Sequence, residues 1–144
     1  GFVETSGDKV SIAGTASITT AAPSGKTGTW LVDPTDFTIA ATGGDITGAT
    51  LGSQLASNNV TLATAAAGAG NGDIIVNDTV TWANANTLTL SAHRNVDFSG
   101  GGWLTGGTTG NATLNAGLNG TSGAIVGHAT NTVFATRLQG GERR

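Results

Sequence analysis

The side chains able to do chemistry in this chain are few and scattered. With no Cys, thiolate nucleophiles, thiolate metal sites and disulfides are excluded. The two histidines, His93 and His128, stand 35 residues apart and read as separate surface polar residues, not as a metal pair. A glycoside hydrolase needs two carboxyl groups about 5–10 Å apart. Asp45 and Asp73, each between a Gly and an Ile, are the pair that stacked turns could bring together. No Lys or Arg is expected beside them, and Asp in a Gly-rich corner accepts backbone N–H bonds, which is the favoured reading. Asp33-Pro34-Thr35-Asp36 and the Gly68–Asp73 stretch offer oxygens of the kind Ca²⁺ takes. Pro after Asp more simply starts a turn, and the second stretch lacks the tandem paired glycines of a Ca²⁺ roll. Neither a nucleophile elbow nor a dinucleotide loop stands in strand–helix context. No catalytic, cofactor-binding or metal-ligating residue is assigned, and the chain is not expected to be an enzyme. Of Trp30, Trp82 and Trp103, the first two read as core filling. Trp103, after Gly100-Gly101-Gly102, is the candidate for an exposed aromatic that stacks on glycans. The Asn-x-Thr sequons at Asn59, Asn77, Asn111 and Asn119 mark surface-compatible positions and little else.

The elements that would position these residues repeat. Val10-Ser11-Ile12-Ala13, Phe37-Thr38-Ile39-Ala40, Val60-Thr61-Leu62-Ala63, Leu88-Thr89-Leu90-Ser91 and Ala112-Thr113-Leu114-Asn115 begin 27, 23, 28 and 24 residues apart. A period near 25 residues marks a solenoid whose units cannot bury their apolar side alone. Two further strand sets follow in each unit. One is Ala16–Ile18, Gly44–Thr47, Gly72–Val76, Asn95–Phe98 and Gly123–Val126. The other is Thr29–Val32, Leu51–Leu55, Thr79–Trp82, Trp103-Leu104 and Thr132–Phe134. Apolar residues alternate with Thr, Ser or Asp in most of them, the period of a half-buried strand.

These features predict an all-β chain, a right-handed parallel β-helix of about five triangular coils with three short strands each. Val10, Phe37, Val60 and Leu88 are expected to stack in one inward ladder, and Ile12, Ile39, Leu62, Leu90 and Leu114 in a second. Thr38, Thr61, Thr89 and Thr113 would form an outward ladder. The register of the third strand set is the least regular, and its Ala- and Ser-rich continuation, Leu51 to Ala69, has the alternative of winding briefly as a helix. Residues 1–138 form a single β-helix segment, and the polar tail 139–144 is expected to lie outside it or fray.

Composition agrees. Val, Ile, Leu, Phe and Trp total 33 of 144 residues, while Ala, Gly and Thr supply 21, 24 and 25, a mixture suited to a narrow prism with tight corners. A net charge of −3 without a basic stripe argues against phosphate-driven nucleic-acid binding. No apolar run approaches the length of a membrane span. The start at Gly1 and the absence of Met are those expected of a processed product or an excised segment.

Several phrases carry a family resemblance. Gly1-Phe2-Val3-Glu4-Thr5-Ser6-Gly7, Gly25-Lys26-Thr27-Gly28-Thr29-Trp30-Leu31-Val32-Asp33-Pro34-Thr35-Asp36, Gly44–Leu51 and Asn71–Asp78 together resemble the repeat region of filamentous-haemagglutinin-like exoproteins, the adhesins of two-partner secretion. The likeness spans residues 1 to about 98. It implies a right-handed β-helix, display at a Gram-negative bacterial surface, export through an outer-membrane transporter, and a role as an adhesive shaft or self-stacking filament subunit. Partners would be neighbouring coils or copies end to end, and host-cell or matrix glycans. The family's secretion domain is absent from the matched phrases, and they transfer no catalytic role. The alternative is a β-helix that binds or cleaves polysaccharide.

Overall fold

Thr, Asn and Ser alternate with aliphatic residues along the strands, and this alternation sets one face of each strand inward. The computed structural model describes residues 1–67, 69–118 and 122–127, and the backbone of 133–134 and 142–143. It is a β-solenoid of about four turns, built of parallel sheets on three sides. The first sheet joins β1 (Phe2–Ser6), β2 (Thr29–Asp33), β4 (Asn59–Ala63), β7 (Thr87–Ser91) and β10 (Asn111–Asn115) in that order. The second joins β3 (Phe37–Ile39), β5 (Ile74–Val76), β8 (Val96–Asp97), β11 (Ala124–Val126) and β13 (Glu142–Arg143). The third joins β6 (Val80–Thr81), β9 (Leu104–Thr105) and β12 (Val133–Phe134).

The first sheet fixes the stack. Val3 pairs with Trp30, Trp30 with Val60, Val60 with Leu88 and Leu88 with Ala112, so successive turns take 27, 30, 28 and 24 residues. Two residues on, Thr5, Val32, Leu62, Leu90 and Leu114 form the second inward ladder. Trp30, Val32, Val60, Leu62, Leu88, Leu90, Ala112 and Leu114 are all fully buried. Burying an aliphatic side chain of this size contributes about 1.5–3 kcal/mol, which makes these ladders the main apolar support of the turn-to-turn pairing. On the outer face Thr61, Thr89 and Thr113 stack in register.

The expected ladders therefore need correcting. Phe37 and Ile39 do not stack on Val60 and Leu62. They are buried in β3 and pair with Ile74 and Val76 on the second side, with Thr38 opposite Ile75. The residues that stack on Val60 and Leu62 are Trp30 and Val32, which the sequence pattern assigned to the third side. Val10 is buried and Ile12 partly buried against the core, but neither lies in a strand. The Ile12 N–H donates to the Asp45 carbonyl at 2.7 Å, and Ile46 bridges to Ile39, so the 10–12 segment belongs to the second-side stack. The cause is corner length. β2 and β3 are separated by three residues but β4 and β5 by ten, and a fixed repeat assigns such units to the wrong side.

The third side departs further. Leu51–Leu55 is no strand: α1 (Gly48–Gln54) occupies that side in the second turn. The Thr47 hydroxyl caps it, accepting the Thr50 N–H at 3.0 Å, and Asp78 Oδ2 from the next turn accepts the Gly48 N–H at 2.8 Å. Leu51 and Leu55, four apart on one face, are fully buried. The adjacent face carries Gly48 and Gly52, where an added Cβ would stand 2.0 Å from the Thr79 carbonyl oxygen and 2.3 Å from that of Thr81. The helix lies directly on the β6 backbone because these two residues have no side chain. On its other side Ala16–Ile18, also expected as a strand, runs as irregular chain tied down by polar groups. Gln54 Nε2 donates to the Ala16 carbonyl at 3.0 Å. Fully buried Asn58 donates through Nδ2 to the carbonyls of Ile18 and Gln54 and accepts from Thr20 N–H and O–H through Oδ1. Of the tail expected to lie outside, Glu142–Arg143 pairs with β11, since backbone pairing asks for no apolar side chain. Residues 139–141 and 144 fall outside the described residues.

Gly52→Ala decides between two opposed effects. Helix propensity alone favours the variant by about 1 kcal/mol. Overpacking against a backbone oxygen costs about 1–3 kcal/mol and cannot be relieved by a side-chain rotation. The variant is expected to be less stable, by up to about 2 kcal/mol, seen as a lower urea midpoint at unchanged slope. A raised midpoint would show that α1 does not rest on β6.

Candidate functional site

The carboxylates singled out in the sequence sit at the corner between the first and second sides, each tied to backbone. Thr38 N–H donates to Asp45 Oδ2 at 2.9 Å, and Asn95 N–H donates to Asp73 Oδ1 at 3.0 Å. Asp36 Oδ1 accepts the N–H groups of Gly72 and Asp73, both at 2.8 Å, so the Asp33–Asp36 loop staples one turn to the next. Gly72 takes φ +78, which favours glycine, and its carbonyl accepts the Thr64 hydroxyl at 2.6 Å. The local pattern is that of turn carboxylates finishing Gly-rich bends.

Contrary to expectation, each of the two carboxylates has a basic partner. Arg94 Nε donates to Asp73 Oδ1 at 2.8 Å and its Nη2 to Oδ2, a forked pair of strong, charge-assisted bonds. Lys9 Nζ stands 2.5 Å from Asp45 Oδ1. The first pairing was legible as opposite charges about one coil apart. The second was not, because residues 40–46 double back through Gly43, at φ +73, and carry Asp45 onto the 9–12 segment of the first turn.

Around Lys9 and Asp45 opens a cleft of about 420 Å³, lined by Asp8, Lys9, Thr35, Asp36, Thr38, Asp45, Ala67, Ala69 and Gly70. It brings together Asp36 and Asp45 with Asp8 and Lys9, two residues the sequence analysis passed over. Asp73 does not line it. Asp45 is buried, with 4% of its surface exposed, while the Lys9 side chain is 75% exposed. Among the described residues, no three carboxylate or imidazole groups lie close enough together to hold a metal ion.

The remaining candidates are dispersed. Trp30 is fully buried and donates its indole N–H to the Thr5 hydroxyl at 3.1 Å. Trp82 is buried and donates to the Asn86 carbonyl at 3.0 Å. Trp103 is 40% exposed, next to β9 on the third side, and is not among the residues lining the cleft. His93 lies at the corner after β7, its backbone N–H donated to the Thr64 hydroxyl at 3.2 Å, and His128 falls outside the described residues. Of the sequon asparagines, Asn59 is engaged in the sheet: its amide donates to the Thr27 and Gly28 carbonyls and accepts the Thr87 N–H. Asn77 is exposed, Asn111 half-buried, and Asn119 outside the described residues.

Burial of Asp73 works against its ionisation, but the Arg94 hydrogen bond, the Asn95 N–H and the Arg94 charge outweigh it and hold the carboxyl below the usual Asp value. The sign follows from linkage. A carboxyl depressed in the folded state contributes stability that is fully present above the unfolded value, about 3.9, and lost as pH falls toward the folded one. Arg94→Ala is expected to raise the Asp73 titration midpoint in a carboxyl-resolved NMR titration and to flatten the loss of stability below about pH 4. An unmoved midpoint would show that the forked pair is not formed in solution.

No family model matches the chain, and neither a curated protein nor a solved structure does.

Proposed function

We propose that the chain is a non-catalytic shaft module of a surface-displayed bacterial exoprotein of the filamentous-haemagglutinin kind, adhesive in role and stiff by construction. The observation that carries this reading is the uninterrupted first sheet, five parallel strands in register with two inward ladders running its length. At about 4.8 Å per turn, four turns advance roughly 20 Å along one axis. Each turn leans on the next, which suits a part that transmits force and holds another part at a distance. The phrases from Gly1–Gly7, Gly25–Asp36, Gly44–Leu51 and Asn71–Asp78 support the adhesin family and, through it, two-partner secretion from a Gram-negative cell. End-to-end stacking of copies through open strand edges is the filament form of the same reading.

A polysaccharide-binding role is the second reading, favoured by a carboxylate-lined cleft that includes a lysine. Quenching of Trp fluorescence by oligosaccharide would separate it from a purely mechanical one.

Beads coated with the folded chain are expected to be retained on cultured epithelial cells or immobilised matrix glycans severalfold above beads coated with denatured chain. Retention no better than the denatured control, with no end-to-end filaments in electron micrographs of the concentrated chain, would overturn the adhesive-shaft reading.

A further inference from the structure

We propose that the cleft beneath Lys9 is a binding site for a primary ammonium group, occupied in the free protein by the chain's own lysine. The inference is independent of the shaft reading and stands or fails apart from it.

Three carboxylates, Asp8, Asp36 and Asp45, line the cleft against one ammonium, so its lining is acidic in balance. Asp45 makes it more than a surface cluster of acids. The residue is 4% exposed, and its Oδ1 receives no hydrogen bond from any described group. The Lys9 ammonium, 2.5 Å away, meets that oxygen as an ion contact. The other oxygen is held by the Thr38 N–H, which fixes the carboxylate's orientation. A buried carboxylate is costly unless a cation matches it, so the position demands one.

The cation supplied is a poor permanent occupant. The Lys9 backbone is anchored, with the Asp8 carbonyl accepting the Thr35 N–H at 3.2 Å and Val10 buried beside it. Its side chain is 75% exposed and swings on four methylenes from that anchor. A tethered ammonium competes with a free one through its high effective concentration, and withdrawing it opens the position. A metal ion fits less well: no three carboxylate or imidazole groups converge among the described residues, and about 420 Å³ far exceeds one ion. The volume instead suits a small organic amine, with Thr35 and Thr38 also in the lining.

Isothermal titration with putrescine tests this on the intact chain and on Lys9→Ala. Lys9→Ala is expected to bind the diamine at least tenfold more tightly than the unaltered chain and to ignore N,N′-diacetylputrescine. Asp8→Asn in the same background, which leaves the backbone anchor and the Asp45 hydrogen bond in place, is expected to weaken binding severalfold. If Lys9→Ala fails to fold by circular dichroism, Lys9→Gln replaces it, keeping the reach without the charge. Equal affinity of a folded Lys9 variant and the unaltered chain would overturn the proposal. So would equal binding of the diacetylated diamine, or a preference for CaCl₂ over putrescine.

Discussion

The constraint on which the structure depends is the parallel pairing of the first sheet, where Trp30, Val60, Leu88 and Ala112 stack above one another with Val32, Leu62, Leu90 and Leu114 beside them. Parallel strands cannot be joined by a tight hairpin, so the chain must travel around before it pairs again. That return path makes the other two sides. Once the first sheet is in register, a strand reaching the second side meets its equivalent from the turn before, as Ile74 meets Phe37 and Val96 meets Ile74.

Regularity on one side is balanced by tolerance elsewhere. Between β4 and β5 the chain takes ten residues where β2 and β3 need three, and on the third side a helix stands where a strand would. Polar side chains make these departures possible by satisfying backbone groups that no ladder reaches. Asn58 closes the buried gap between α1 and the irregular 16–20 segment, and Asn84 and Asn86 both donate to the Leu55 carbonyl just past the helix. The same looseness creates the cleft. Because residues 40–46 double back instead of continuing to the third side at once, Asp45 is brought under the first turn and beneath Lys9.

The solenoid itself was legible, because alternation within Val60–Ala63, Leu88–Ser91 and Ala112–Asn115 repeats at turn-sized intervals and these strands do stack. Which side each earlier phrase occupies was not. Trp30-Leu31-Val32 and Phe37-Thr38-Ile39 satisfy the same period of two, and only the three-residue corner between them puts them on different sides. The helix was ambiguous for a related reason. Leu51 and Leu55 are four apart, a spacing that serves one helix face and one strand face alike. What distinguishes them is Gly48 and Gly52 at the same spacing, facing a carbonyl row that belongs to the next turn. The candidate carboxylates Asp45 and Asp73 were visible as turn residues. Of their basic partners, Arg94 stands about one coil from Asp73, but Lys9 meets Asp45 only through the chain's detour, which local pattern does not encode.

Residue-by-residue amide hydrogen exchange tests the primacy of the first sheet most directly, since protection reports the free energy of opening each element. The slowest exchange is predicted at Val60–Leu62 and Leu88–Leu90, in strands paired on both sides, with residues 7–28 exchanging far faster. Exchange at β4 and β7 as fast as in that irregular first turn would contradict the account.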